Sequence, residues 1–269
     1  MKRIAIVIVT AALAACGGSS SPTSKTFTYG TATPATASQS SAVSSQVANV
    51  ISARNTASAD SAQSVANIES LTSTLFNGSA VGFLTAQSGV SSQALSVARR
   101  GVVSNGFDNP SCVTQPTATS VTFTNCKLTF TNTSGTDTET VNGTFAVVGD
   151  NAKWDATVTV TITSSSYSAT ASLHYAGDVT VTSSTVKGTL SGDVTVNVSA
   201  SGQSYAAEVA ESVTIDVTYD SSNCVTSGTL EAKRVWVTKP SNTQGLDTAD
   251  KGALVTWTGC GTATIAYNK

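Results

Sequence analysis

Between Thr157 and Thr163 the chain reads Thr-Val-Thr-Val-Thr-Ile-Thr. Successive side chains of an extended strand leave opposite faces, so this alternation puts Val158, Val160 and Ile162 on one face and the threonines on the other. Tyr167, Ala169, Ala171, Leu173 and Tyr175 alternate against Ser168, Thr170, Ser172 and His174. Val194, Val196 and Val198 repeat the pattern, as do Val213, Ile215, Val217 and Tyr219. The period predicts eight strands, over residues 120–131, 138–148, 153–164, 167–182, 185–199, 203–219, 225–238 and 252–267. The turns between them are short, for example Ser134-Gly135, Gly149-Asp150 and Ser201-Gly202, so consecutive strands are expected to pair as an antiparallel meander. One apolar and one Ser/Thr face per strand predicts a sheet covered on one side.

One phase break matters. Val121 and Phe123 share a parity that Cys126, Leu128 and Phe130 do not. One extra residue near Asn125, a β-bulge, restores a single apolar face. Gly177-Asp178-Val179-Thr180-Val181-Thr182 recurs in outline as Gly192-Asp193-Val194-Thr195-Val196-Asn197, and Gly-Thr recurs at 143–144, 188–189, 228–229 and 261–262. This reads as hairpin regularity.

Upstream the period changes. Val43, Val47, Val50 and Ile51 fall on one helical face, and Val65, Ile68, Leu71 or Thr72, Leu75 and Phe76 form a second stripe. Asn77-Gly78 supplies a stop. A third helical segment is expected over 87–100, closed by Arg99 and Arg100. These faces are rich in Ala and Ser, so the helices need the sheet to hold them. The expected fold is α+β: N-terminal helices (36–100) packed on a long, mostly antiparallel meander of about eight strands within 101–269, the whole of 36–269 forming one body.

The first residues carry an address. Lys2 and Arg3 precede the apolar run 4–13, which is too short to span a bilayer core of ~30 Å. Leu13-Ala14-Ala15-Cys16 follows. This opening resembles the signal peptide and lipobox of bacterial lipoproteins. The resemblance covers residues 1–16 and implies cleavage after Ala15, a thioether-linked diacylglycerol on Cys16 and an acylated amino terminus, palmitate being the class of chain. Several acyl chains, at ~0.8 kcal/mol per buried CH₂, hold far better than one. Gly17 after the cysteine, where retained lipoproteins carry Asp, implies the outer membrane over the inner. Residues 16–35 lack apolar periodicity and are expected to be a flexible tether.

Removing Cys16 from the five cysteines leaves Cys112, Cys126, Cys224 and Cys260. Four thiols in an exported chain predict two disulfides. Three pairings are possible, and sequence proximity favours Cys112–Cys126 with Cys224–Cys260. No metal-type spacing occurs, and no metal or other cofactor is expected.

Charged residues are only 11% of the chain, and losing Lys2 and Arg3 takes the net charge from −2 to −4. No basic patch exists to bind nucleic acid. No catalytic motif is present. His174, the one histidine, falls on the Ser/Thr face, where it could meet Asp178 or Asp193; an enzyme would need it beside both a carboxylate and a hydroxyl. Asp150 with Asp155, and Glu208 with Glu211, are candidate carboxylate pairs, otherwise readable as turn or edge charges. Trp236 lies between Val235 and Val237 and faces away from them, so a core made by the valines leaves it exposed; Trp257 shares the parity of Val255. The two tryptophans are the candidate binding face. The expectation is a non-enzymatic lipoprotein of the envelope, with a structural, adhesive or assembly role and a protein, glycan or lipid as partner. The alternative is a module that binds a lipid or another apolar ligand on the apolar sheet face.

Overall fold

The computed structural model describes residues 25–53, 68–76, 107–132, 135–165, 167–200, 203–240 and 247–269. The lipobox, Cys16, and the third expected helix lie outside the described residues. Two helices are described, α1 (Ala37–Ala53) and α2 (Ile68–Phe76). The strands are β1 (Thr33–Pro34), β2 (Val113–Thr117), β3 (Ser120–Asn132), β4 (Gly135–Val148), β5 (Asn151–Ser164), β6 (Tyr167–Val181), β7 (Thr185–Ala200), β8 (Gln203–Tyr219), β9 (Val225–Thr238), β10 (Lys251–Gly259) and β11 (Thr262–Tyr267). All eleven belong to one antiparallel sheet, in the order β1-β11-β10-β9-β8-β7-β6-β5-β4-β3-β2.

The α+β expectation with about eight strands is therefore corrected: the described body is mainly β. Two edge strands escaped the sequence pattern because they are short and each contains a proline, Pro34 or Pro116. The strand expected over 252–267 is two strands, divided at Cys260 and Gly261. The expected bulge is present. Register shifts between Phe123 and Cys126, and Asn125 takes a φ of 50°.

Cross-strand register arranges the inner face in rows. One row runs Leu128, Glu139, Val160, Ala171, Val196, Ala207, across β3 to β8. The next runs Cys126, Val141, Val158, Leu173, Val194, Val209, Trp236. Val43, Val47 and Val50 of α1 and Leu71, Leu75 and Phe76 of α2 join these residues in one core. The helical stripes thus bury the faces that their i, i+4 and i, i+3 spacing marks out. Thr36 starts α1 with a reciprocal cap: its hydroxyl accepts from the Gln39 amide N–H at 3.3 Å, and its own N–H donates to the Gln39 side-chain oxygen at 3.0 Å.

The Gly-Thr pairs at 143–144, 188–189 and 228–229 are not hairpin features. They lie mid-strand in β4, β7 and β9. At Gly188 φ is +154°, and a Cβ would stand 2.2 Å from the Asp178 carbonyl oxygen on the neighbouring strand. Glycine alone allows that approach, and such positions bend and coil a sheet. Gly177 answers a different need. The Trp154 ring lies on it, with Cζ2 only 1.9 Å from where a Cβ would be.

Residues 25–35, expected within the tether, are part of the fold. Lys25 is ion-paired with Asp250, the Phe27 ring lies against Gly252, and the Tyr29 hydroxyl donates to Glu231 at 2.6 Å. Gly30 N–H donates to the Tyr267 carbonyl, then Thr33 and Pro34 pair with Ile265 and Thr264. Gly252, Glu231 and Lys233 belong to the Ser/Thr side of the sheet, so this stretch is a strap across the outer face that ends where α1 begins.

Candidate functional site

The cysteines pair as sequence proximity suggested. Cys112 is bonded to Cys126 and Cys224 to Cys260, with Cα–Cα distances of 5.1 and 5.4 Å. The first bridge ties the start of β2 to β3 just after the bulge. The second joins the β8–β9 turn to the β10–β11 turn. In that first turn Asp220 Oδ1 accepts from the Ser222 hydroxyl at 2.6 Å and from the Cys224 and Ser222 N–H groups at 3.0 and 2.9 Å, which hold its carboxyl below the usual carboxylate range.

The proposed aromatic face is not on the surface. Trp236 is 6% exposed and Trp257 3%. The expectation that Trp236 points outward took Val235 and Val237 as core, but Trp236 keeps the inward phase of Leu230, Ala232 and Arg234 in a register unbroken from Gly228 to Trp236, and the extra residue Val237 comes only after it. Trp236 then shares the inner row of Val194 and Val209, while Val235 sits opposite Ala210 on the other side. Trp257 follows its parity with Val255 inward.

His174 lies on the outer face, as its parity requires, half exposed between two carboxylates. Its Nε2 is 3.0 Å from Asp155 Oδ1, and its Nδ1 is 3.5 Å from Asp193 Oδ2. Asp193 is its direct cross-strand partner on β7. Asp178, the other candidate, is instead 3.5 Å from Lys153 Nζ. Asp193 first, then Asp155, hold the imidazole up to about 9 against the opposing effect of burial. The ring is therefore a cation near neutral pH, with both nitrogens turned to carboxylates. That geometry makes an ion cluster and supplies no free base to a hydroxyl.

The carboxylate pairs also separate. Asp155 belongs to His174, and Asp150 lies in the β4–β5 turn. Glu208 faces outward, paired in register with Thr195. Glu211 points inward, 2% exposed. It accepts from Arg234 Nε at 2.6 Å and from the Thr72 hydroxyl at 2.8 Å. The Arg234 guanidinium also lies 5.3 Å over the Phe76 ring. This buried pair between neighbouring strands is the polar latch that receives α2.

The sequence reading passed over Glu139. It is 3% exposed, and among the described residues neither carboxylate oxygen has a hydrogen-bond partner. Burial among apolar neighbours pushes its carboxyl up to about 7. The available signal was parity. Glu139 shares the phase of Val141, Phe145 and Val147 and is flanked by Thr138 and Thr140 on the other. Other inner-face groups are similarly bare: the Tyr205 hydroxyl and the indole N–H groups of Trp154, Trp236 and Trp257.

A groove of about 760 Å³ lies between α1 and the two disulfide-linked turns, lined by Ser40, Ser41, Ser44, Ser45, Ser222 and Asn223 among others, with no charged side chain. Among the described residues no three His, Cys, Asp or Glu side chains are placed to hold a metal ion. No described helix is long and apolar enough to cross a membrane. Comparison of the chain with protein-family models, with curated proteins and with solved structures gives no match.

Proposed function

We propose that the chain is a lipid-anchored protein of the bacterial cell envelope, at the outer membrane, whose role is structural, adhesive or in assembly and not catalytic. The observation that carries this reading is the strap. With residues 25–34 fastened to the sheet, only nine residue steps separate Cys16 from Lys25. At ~3.3–3.6 Å per residue the leash reaches at most ~30 Å. A lipid on Cys16 would hold a rigid, disulfide-braced sheet close to the bilayer and leave its long Ser/Thr face for partners. A protein or glycan of the cell surface fits such a polar face. The His174 cluster supports the non-catalytic part of the reading, since both ring nitrogens are occupied by acids.

Cell fractionation tests the anchor. The native protein is expected in the outer-membrane fraction and the Cys16→Ser protein in the soluble fraction. Retention of Cys16→Ser in the membrane would refute it. Cross-linking from the outer face, at Thr159 or Thr195, tests the face used for partners; capture from inner-face positions alone would count against it.

A second reading is favoured by one observation, the run of unpartnered polar atoms on the apolar face. There the sheet would bind a lipid or another apolar ligand, with those atoms meeting its polar end.

A further inference from the structure

We propose that the groove between α1 and the two disulfide-linked turns binds a short, neutral oligosaccharide. The inference goes beyond the proposed function and stands apart from it: it needs neither the lipid anchor nor the outer face, since α1 packs on the inner side of the sheet.

The groove has room. It holds about 760 Å³ and is open to solvent, and small-molecule sites span ~300–1,000 Å³. One wall is a flank of α1. Val43, Val47 and Val50 turn into the core. At about 3.6 residues per turn, Ser40 with Ser44 and Ser41 with Ser45 then form two i, i+4 pairs on the adjoining flank. The other wall is the β8–β9 turn, with Ser222 and Asn223. Both walls are braced. Cys224–Cys260 joins the two turns, and the Asn223 N–H donates to the Asp220 carbonyl at 3.0 Å. The Ala35 N–H donates to the Ala263 carbonyl at 2.9 Å, which ties the entry of α1 to β11. Walls fixed in this way lose little entropy when a ligand arrives.

The lining chemistry selects the ligand class. No Asp, Glu, Lys, Arg or His lines the groove, so a charged ligand finds no counter-charge there. Asp220 is not among the lining residues, and its Oδ1 is already taken by Ser222 and Cys224. Within the described residues the side chains of Ser40, Ser41, Ser44, Ser45 and Asn223 make no hydrogen bond. A serine hydroxyl both donates and accepts, and so does the Asn223 carboxamide. Sugar hydroxyls do the same around a ring and are their complement, whereas a lipid tail would leave these groups unanswered. A peptide backbone calls for the free edge of a strand. Neither a helix flank nor a turn offers one. Without an aromatic platform the affinity is expected on the order of 1 mM, which selects NMR as the assay.

The test records amide spectra of the mature Cys16→Ser protein against maltotriose, xylotriose and N,N′,N″-triacetylchitotriose, with sialyllactose as the charged sugar. At least one neutral sugar is expected to shift the amides of residues 40–48 and 222–225, with the same Kd at low and high salt. Ser41→Ala with Ser45→Ala removes two hydroxyls at exposed helix positions and leaves the fold intact. Asn223→Gly removes the carboxamide and keeps the left-handed turn, where φ is 61°. The three substitutions together are expected to weaken binding tenfold or more, and Thr159→Ala on the outer face to leave it unchanged. No shift with any of the three neutral sugars would overturn the proposal. So would shifts confined to the outer face, tighter binding of sialyllactose, a steep salt dependence, or unchanged binding by the triple variant.

Discussion

Replacing Glu139 by glutamine removes one titration from the core. An acid whose carboxyl is raised by folding keeps its proton in the native state after the unfolded chain has released it. Its contribution is therefore complete below the ordinary value of 4.5 and declines as pH climbs towards the folded value of about 7. At ~1.36 kcal/mol per pH unit the interval corresponds to ~3 kcal/mol lost by the native protein and spared in Glu139→Gln. With the carboxyl 3% exposed and no charged partner on it, solvent screening takes little from that figure. Urea unfolding of the Cys16→Ser protein and its Glu139→Gln derivative, followed by tryptophan fluorescence from mildly acidic to mildly alkaline buffer, isolates the effect by difference. The two stabilities should converge in acid, with the glutamine variant ~3 kcal/mol ahead in base. A constant difference across the range would refute the claim that this acid is buried and unpartnered.

Three other outcomes follow from the geometry. Arg234→Met should destabilise by ~3–5 kcal/mol, because it strands the Glu211 carboxylate under α2, whereas the double variant Arg234→Met with Glu211→Leu should recover most of that loss in the same unfolding assay. Gly188→Ala should cost more than ~1–3 kcal/mol, since an L-residue there is both outside its favoured backbone region and against the Asp178 carbonyl; a wild-type melting temperature would show that β7 is not kinked at this point. In an NMR titration the His174 ring should change state near 9, and its support for the fold should be lost as pH rises through that value, yet His174→Gln should cost less than ~1 kcal/mol at neutral pH because the cluster is half in water.

Much of the sheet was legible because alternation is a direct readout of strand geometry. Seven long strands, β3 to β9, and the bulge at Asn125 come from parity in the chain, and their antiparallel order from the short turns between them. Parity failed where it was taken from the flanking Val235 and Val237, which turned Trp236 outward, whereas the phase of Leu230 and Ala232, kept without a register shift, turns it inward. It failed again for short pieces: two residues of β1 and five of β2 cannot display a period. The strap was missed because its contacts are individual, a Tyr29–Glu231 hydrogen bond and a Phe27 ring on Gly252, with no repeat to announce them. The glycines of the Gly-Thr pairs were visible as a recurrence, but their meaning depends on φ, which a sequence does not display. Glu211 and Arg234 became a pair through a register of strands 23 residues apart in sequence, beyond local reading. The cysteine pairing was legible because each bridge joins neighbours in chain order.

The proposed anchor depends on Cys16, since the short leash has meaning only if that residue is in the bilayer. Mass spectrometry of the amino-terminal peptide from the membrane-extracted protein is the direct measurement. The expected peptide begins at Cys16 and carries the mass of a diacylglyceryl group and an amino-terminal acyl chain. A peptide that retains residues 1–15, or one that begins at an unmodified cysteine, would contradict it.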